Sequence, residues 1–201
     1  MALKYAVNNS LSAITSLPSG ISGGALNLIS TQTASGSATI DFTSGIDSTY
    51  DSYIFKFIDI HASIDDKDFT FQADTGTNTN YNQTITSTYF NALHNEGDTY
   101  ASVEYNTGKD LAQSTGFQVL SYSHGLDNDQ ASSGELKIYN PSSNTFVKHF
   151  VSRMSSITLS DFGIDNYVAG YFNTITPLTR FRFKMSSGNI DSGIIKMYGV
   201  S

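Results

Sequence analysis

Over most of the chain, apolar residues fall at every second position in short runs. The clearest run is YIFKFIDI at 53–60, where Tyr53, Phe55 and Phe57 share one face of an extended strand and Ile54, Ile58 and Ile60 the other. A strand apolar on both faces predicts a central place in a sheet, or one face in an interface. Phe69 and Phe71 alternate with Thr70 and Gln72, and Leu136 and Ile138 with Glu135 and Lys137. Phe181, Phe183 and Met185 alternate with Arg182 and Lys184, and Ile195 and Met197 with Lys196 and Tyr198. Phe146 and Phe150 are expected on one face of a further strand, with Val147 and Val151 on the other.

Many short strands bounded by Gly, Asn, Asp and Ser clusters predict a sandwich or barrel. GTNTN at 76–80 and NPSSN at 140–144 carry residues suited to tight turns, and SSGNIDSG at 186–193 reads as a hairpin connection. Residues 91–133 form the longest stretch without clear strand character, where a contact surface is expected.

The first 30 residues differ. Leu11, Ile14, Leu17, Ile21, Leu26 and Leu28 are spaced among Ser, Gly and Pro18, with Gly20, Gly23 and Gly24 breaking any helix. The segment has too little apolar surface to fold alone. The division expected is an extended N-terminal docking arm at 1–30 and a β-sandwich domain at 31–201. Leu11, Ile14, Leu17 and Ile21 are the residues expected to dock on a partner.

Composition narrows the function classes. A chain of 201 residues suffices for one domain with a real core. Only 14% of residues are charged, so Ser, Thr and Asn must cover much of the surface; these side chains suit turns and solvated strand faces and compete with helix hydrogen bonding. The net charge of −7 argues against a nucleic-acid partner. The absence of cysteine excludes disulfides and thiolate metal sites. No apolar run approaches the roughly 20 residues of a membrane span, and residues 1–10 lack the apolar core of a signal peptide, so a soluble protein made without a secretory signal is expected.

The segments at 28–60, FTFQAD (69–74), STYFNALHNEGDTY (87–100), LAQSTGFQVL (111–120), YNPSSNTFVKHF (139–150), YVAGYFNT (167–174) and the ending RFKMSSGNIDSGIIKMYGV (182–200) resemble a family of uncharacterised virion proteins of marine tailed phages, cyanophage-like and pelagiphage-like viruses among them. The resemblance implies a jelly-roll or lectin-like sandwich, often trimeric, on a phage head or tail appendage. It implies a particle-bound protein assembled in the host cytoplasm, with other virion proteins as partners. The function expected is decoration of the particle surface, with a tail-associated, carbohydrate-binding receptor module as the alternative. The family supplies no catalytic residues.

The residues themselves offer little chemistry. His61, His94, His124 and His149 form no HExxH and no recognised metal spacing. Ser123, His124 and Asp127 are the right types for a hydrolytic triad, but near-adjacent residues do not normally face one another as a triad requires, and no GxSxG turn is present. Asp65, Asp66 and Asp68, and Asp127 with Asp129, could supply oxygen to Ca²⁺, yet neither group has EF-hand spacing and solvated turn carboxylates are the plainer reading. No catalytic residue, metal site or cofactor is therefore expected. Tyr81, Tyr89, Tyr100, Tyr105 and Tyr122 lie in or near polar loops and are the residues expected to contact a ligand such as a host surface polysaccharide. The competing expectation is that these rings cover the sandwich edges.

Overall fold

The computed structural model describes residues 26–201. The arm residues Leu11, Ile14, Leu17 and Ile21 lie outside the described residues. Twelve strands follow in order: β1 (Asn27–Ser37), β2 (Ile40–Phe42), β3 (Ser52–Ala62), β4 (Lys67–Thr75), β5 (Ile85–Asn95), β6 (Ala101–Tyr105), β7 (Gln118–His124), β8 (Ser132–Tyr139), β9 (Lys148–Ile157), β10 (Phe162–Phe172), β11 (Leu178–Met185) and β12 (Ile190–Val200). They form an antiparallel β-sandwich. An eight-stranded sheet runs β1-β12-β3-β8-β9-β10-β5-β6, and a four-stranded sheet runs β2-β11-β4-β7.

The order has a simple origin. From β1 to β4, from β7 to β8 and from β11 to β12 the chain changes sheets at each step. This places β1-β12-β3-β8 opposite β2-β11-β4-β7, the strand order of an eight-stranded jelly roll. The two long connections, β4 to β7 and β8 to β11, each carry a pair of extra strands. These pairs, β5–β6 and β9–β10, widen one sheet beyond β8. Residues 27–30 already pair with β12, with Asn27 opposite Gly199 and Leu28 opposite Tyr198.

Phenylalanines fill the space between the sheets. Phe183 on β11 meets Phe42, Phe55 and Phe57 at centroid separations of 6.0, 5.1 and 5.2 Å, and Phe71 meets Phe150 edge-on at 5.1 Å. Each fully buried ring contributes about 1.5–3 kcal/mol from area alone. Every inward partner expected from alternation on β4, β8, β11 and β12 is in this core.

Strand β3 departs from strict alternation. Phe57 pairs with Gly134, but Ile60 pairs with Ser132, so β3 carries one extra residue there. Asp59 absorbs it with φ of 51°. This bulge reverses the sides beyond it, and Ile60 joins Tyr53, Phe55 and Phe57 in the core while Ile54 and Ile58 face outward.

Three further expectations are corrected. Phe146 lies in the loop before β9 and is exposed; its face-sharing place beside Phe150 is taken by Lys148, whose ammonium is fully enclosed and donates to the carbonyls of Phe146 and Thr174 at 3.1 Å each. Residues 186–193 do not join a hairpin, because β11 and β12 lie in different sheets. The stretch 91–133 holds the end of β5, all of β6 and β7, and the start of β8. Apart from Leu120, its buried strand positions are polar (Asn91, Gln118, Ser121, His124 and Ser132), which hides the period of 2 from an apolar count.

Candidate functional site

The five tyrosines expected to bind a ligand are not brought together. Tyr81 and Tyr89 are buried, which corrects their assignment as contact residues. Tyr81 sits on the outer side of the four-stranded sheet with the Arg182 guanidinium 4.0 Å from its ring centroid, and its backbone N–H donates to Asp74 Oδ2 at 2.8 Å. Tyr89 points between the sheets and donates to Asn166 Oδ1 at 2.7 Å; burial drives its hydroxyl pKa well upward. Large rings cover area: Tyr89 is packed between the sheets, and Tyr81 is covered on the outer side of the four-stranded sheet. Tyr122 is half-buried on β7, with the Lys109 ammonium 5.5 Å from its ring centroid. Tyr100 and Tyr105 are exposed, Tyr100 bonded to Glu104 at 3.2 Å and Tyr105 to Asp110 at 2.6 Å.

Tyr105 belongs to a larger arrangement on the outer face of the eight-stranded sheet. Directly opposite positions on successive strands run Thr31, Lys196, Lys56, Glu135, Arg153, Tyr167, Phe90 and Tyr105, one residue from each strand. Opposite residues in an antiparallel ladder point to the same side, so these eight side chains form one row across the sheet. Seven strand spacings of about 4.8 Å make the row about 34 Å long.

The row is charged at one end and aromatic at the other, with Arg153 and Tyr167 at the junction. Arg153 donates from Nε and Nη2 to the two oxygens of Asp165, at 3.0 and 2.6 Å, and its guanidinium lies 5.0 Å over the Tyr167 ring. The Asp165 carboxylate raises the Arg153 pKa, and the bonds from Arg153 and Tyr167 lower that of Asp165. Phe90 stacks on the opposite face of Tyr167, with centroids 4.7 Å apart and planes within 2°. Depressions of about 390 and 620 Å³ flank the Arg153–Asp165 pair, floored in part by Ala92, Gly163 and Ala169. Tyr139 and Val151 stand at the rim of the smaller one, both exposed, and the Lys137 ammonium is 4.8 Å from the Tyr139 centroid.

Outward residues such as Glu135, Lys137 and Lys196 were visible as the polar members of alternating pairs, whereas Lys56 lies in a run that reads as apolar on both faces. Their alignment was not visible, because register across strands joins positions far apart in the chain, as Lys56 and Lys196 are.

The remaining titratable groups serve local structure. Ser123, His124 and Asp127 do not assemble: the Ser123 hydroxyl donates to Asp66 at 2.9 Å, and Asp127 is exposed. His124 instead places Nε2 2.7 Å from the Ser121 hydroxyl, both side chains sealed in the interior. Asp65 accepts the Leu126 N–H at 2.9 Å, and Asp68 takes Lys109 at 2.6 Å and the Ser123 N–H at 3.1 Å. These carboxylates brace residues 123–126 against the β3–β4 turn. Among the described residues, no three His, Asp or Glu side chains are placed to hold a metal ion. His61, with its ring 3.6 Å from Asp191, lines a cleft of about 590 Å³ beside the β3 bulge.

Compared with protein-family models, curated protein sequences and solved structures, the chain matches none.

Proposed function

We propose that this chain is a non-enzymatic structural protein of a tailed-phage particle, with its jelly-roll body on the particle surface. The observation that carries the reading is the strand order β1-β12-β3-β8 against β2-β11-β4-β7, an architecture used by viral surface proteins and lectins. The resemblance of the segments quoted above to virion proteins of marine tailed phages gives it its particle. In this reading Leu11, Ile14, Leu17 and Ile21 dock the chain onto capsid or tail proteins. A homotrimer is part of the same reading, and repetition around its axis adds avidity. Electron cryomicroscopy of the particle tests it: density of this sandwich repeating over the head lattice is the expected result for decoration. Particles lacking the density anywhere would overturn the reading.

A second reading, a receptor-binding module on the tail, is favoured by one feature: the exposed aromatic and charged row on the wide sheet. Density confined to the tail would place this reading first. Host-cell binding by the purified chain, abolished by free host polysaccharide, is its direct test.

A further inference from the structure

Lys56 and Lys196 stand directly opposite each other on β3 and β12. Like charges in that position repel, and the sequence has only 11 Lys and Arg to distribute. Among the described residues neither ammonium has a carboxylate within ion-pairing distance, whereas Arg153 in the same row is locked to Asp165. Lys137 lies one row along, paired across the ladder with Val151 and Ile54, and also makes no ion pair among the described residues. Over these two rows, four cations meet one carboxylate, Glu135, in a chain whose net charge is −7, and Asp165 in the row on the other side is taken up by Arg153. The wide sheet thus carries a local positive surface on a negative molecule, with two neighbouring cations left for an external anion.

The rest of the row identifies the anion's carrier. Phe90 and Tyr105 extend the charged half with apolar surface, and Tyr139 and Val151 border the depression beside Arg153. Rings and small-residue troughs of this kind take the apolar faces of sugar rings, while Glu135 and Asp165 accept hydrogen bonds from hydroxyls. A polymer with a phosphate at every unit would meet those two carboxylates unfavourably. A polymer rich in hydroxyls with intermittent carboxylate or sulfate groups would not. We infer that the outer face of the eight-stranded sheet binds an acidic polysaccharide along the row from Lys196 to Tyr105, its anionic groups held between Lys56 and Lys196 and its sugar rings against the aromatic half. The inference rests on the receptor-binding reading and gives that reading a ligand class and a location.

The test is affinity electrophoresis of the full chain through gels containing polygalacturonate, alginate or chondroitin sulfate, beside gels containing dextran or amylose. Retardation by at least one acidic polymer, weakening as salt rises, is expected, with no retardation by the neutral ones. The double variant Lys56→Gln/Lys196→Gln should lose at least tenfold in affinity. Tyr105→Ala should lose several-fold while keeping the same salt dependence, and both variants should melt as the parent does. Equal retardation by neutral and acidic polymers overturns the anionic ligand class but leaves the receptor-binding reading standing. Retardation by none of them overturns both. Acidic-polymer binding unchanged in both variants overturns the location.

Discussion

His124 Nε2 lies 2.7 Å from the Ser121 hydroxyl while His124 Nδ1 has no partner among the described residues, and the whole pair is buried. Burial, with a smaller contribution from the nearby His61, lowers the His124 pKa to about 4. The native imidazole therefore stays neutral at pH values where the unfolded chain, with a histidine pKa of about 6.5, already takes up a proton. Stability from this group is complete above about pH 6.5, falls as pH drops towards 4, and levels off below it. The difference corresponds to about 3 kcal/mol. Urea unfolding at pH 7 and at pH 4.5 should show most of that loss, and His124→Asn should flatten the dependence across this window even if it is less stable at pH 7. An unchanged slope in the variant would assign the acid sensitivity to other groups.

Phe183 and Phe146 both read as strand phenylalanines, yet they should respond oppositely to removal. Phe183 is enclosed by four other rings within 6.1 Å, and Phe183→Ala should cost about 3–5 kcal/mol. Phe146 is 70% exposed, so Phe146→Ser should change stability by no more than about 0.5 kcal/mol. Thermal melting of the two variants side by side makes the comparison.

The bulge in β3 depends on Gly193. Its φ is 130°, and a Cβ there would approach the Asp59 carbonyl oxygen to 2.8 Å. Gly193→Ala should destabilise by about 1–3 kcal/mol through backbone strain, plus whatever the displaced bulge adds. Gly36→Ala is the control: its φ is 60° and, among the described residues beyond its chain neighbours, no atom lies within 4 Å of the added carbon, so only the left-handed penalty of roughly 1 kcal/mol applies. A larger midpoint shift for Gly36→Ala than for Gly193→Ala would contradict this account of the bulge.

Strand β2 has three residues, and one bidentate pair ties it to β11: Arg182 donates to Asp41 at 2.8 Å from Nε and 2.6 Å from Nη2, with the guanidinium over the Tyr81 ring. Both side chains are about a quarter exposed, so solvent screens the pair. A double-mutant cycle with Asp41→Asn and Arg182→Gln should give a coupling of about 1 kcal/mol that shrinks at high salt. Arg182→Lys should not restore it, because an ammonium cannot reproduce the planar fork or the ring contact.

Alternation made the sandwich legible wherever inward positions are apolar, as in Phe181, Phe183 and Met185. It failed wherever the interior is polar. Ser87 and Gln118 are bonded to each other at 2.5 Å inside the sandwich, so β5 and β7 lack the signal that marked β11. Phe146 misled for the converse reason, because nothing local distinguishes an apolar loop residue from the first residue of a strand. The tyrosines show the same limit: Tyr89 and Phe90 are neighbours of similar size, and only the sheet decides that Tyr89 turns inward and Phe90 outward. The row on the wide sheet depends on the pairing of eight strands, and no local pattern carries that information.

The antiparallel pairing of β1 with β12 brings Asn27 opposite Gly199 at one corner of the wide sheet. Tension applied between those two residues loads the ladder one rung at a time, as in opening a zipper, and not all rungs together as in shear. The mechanically weak seam of the molecule is therefore its first strand. Under load β1 peels away, and its 11 residues extend by up to about 37 Å of slack at roughly 3.4 Å per residue, before the phenylalanine core between the sheets bears any force.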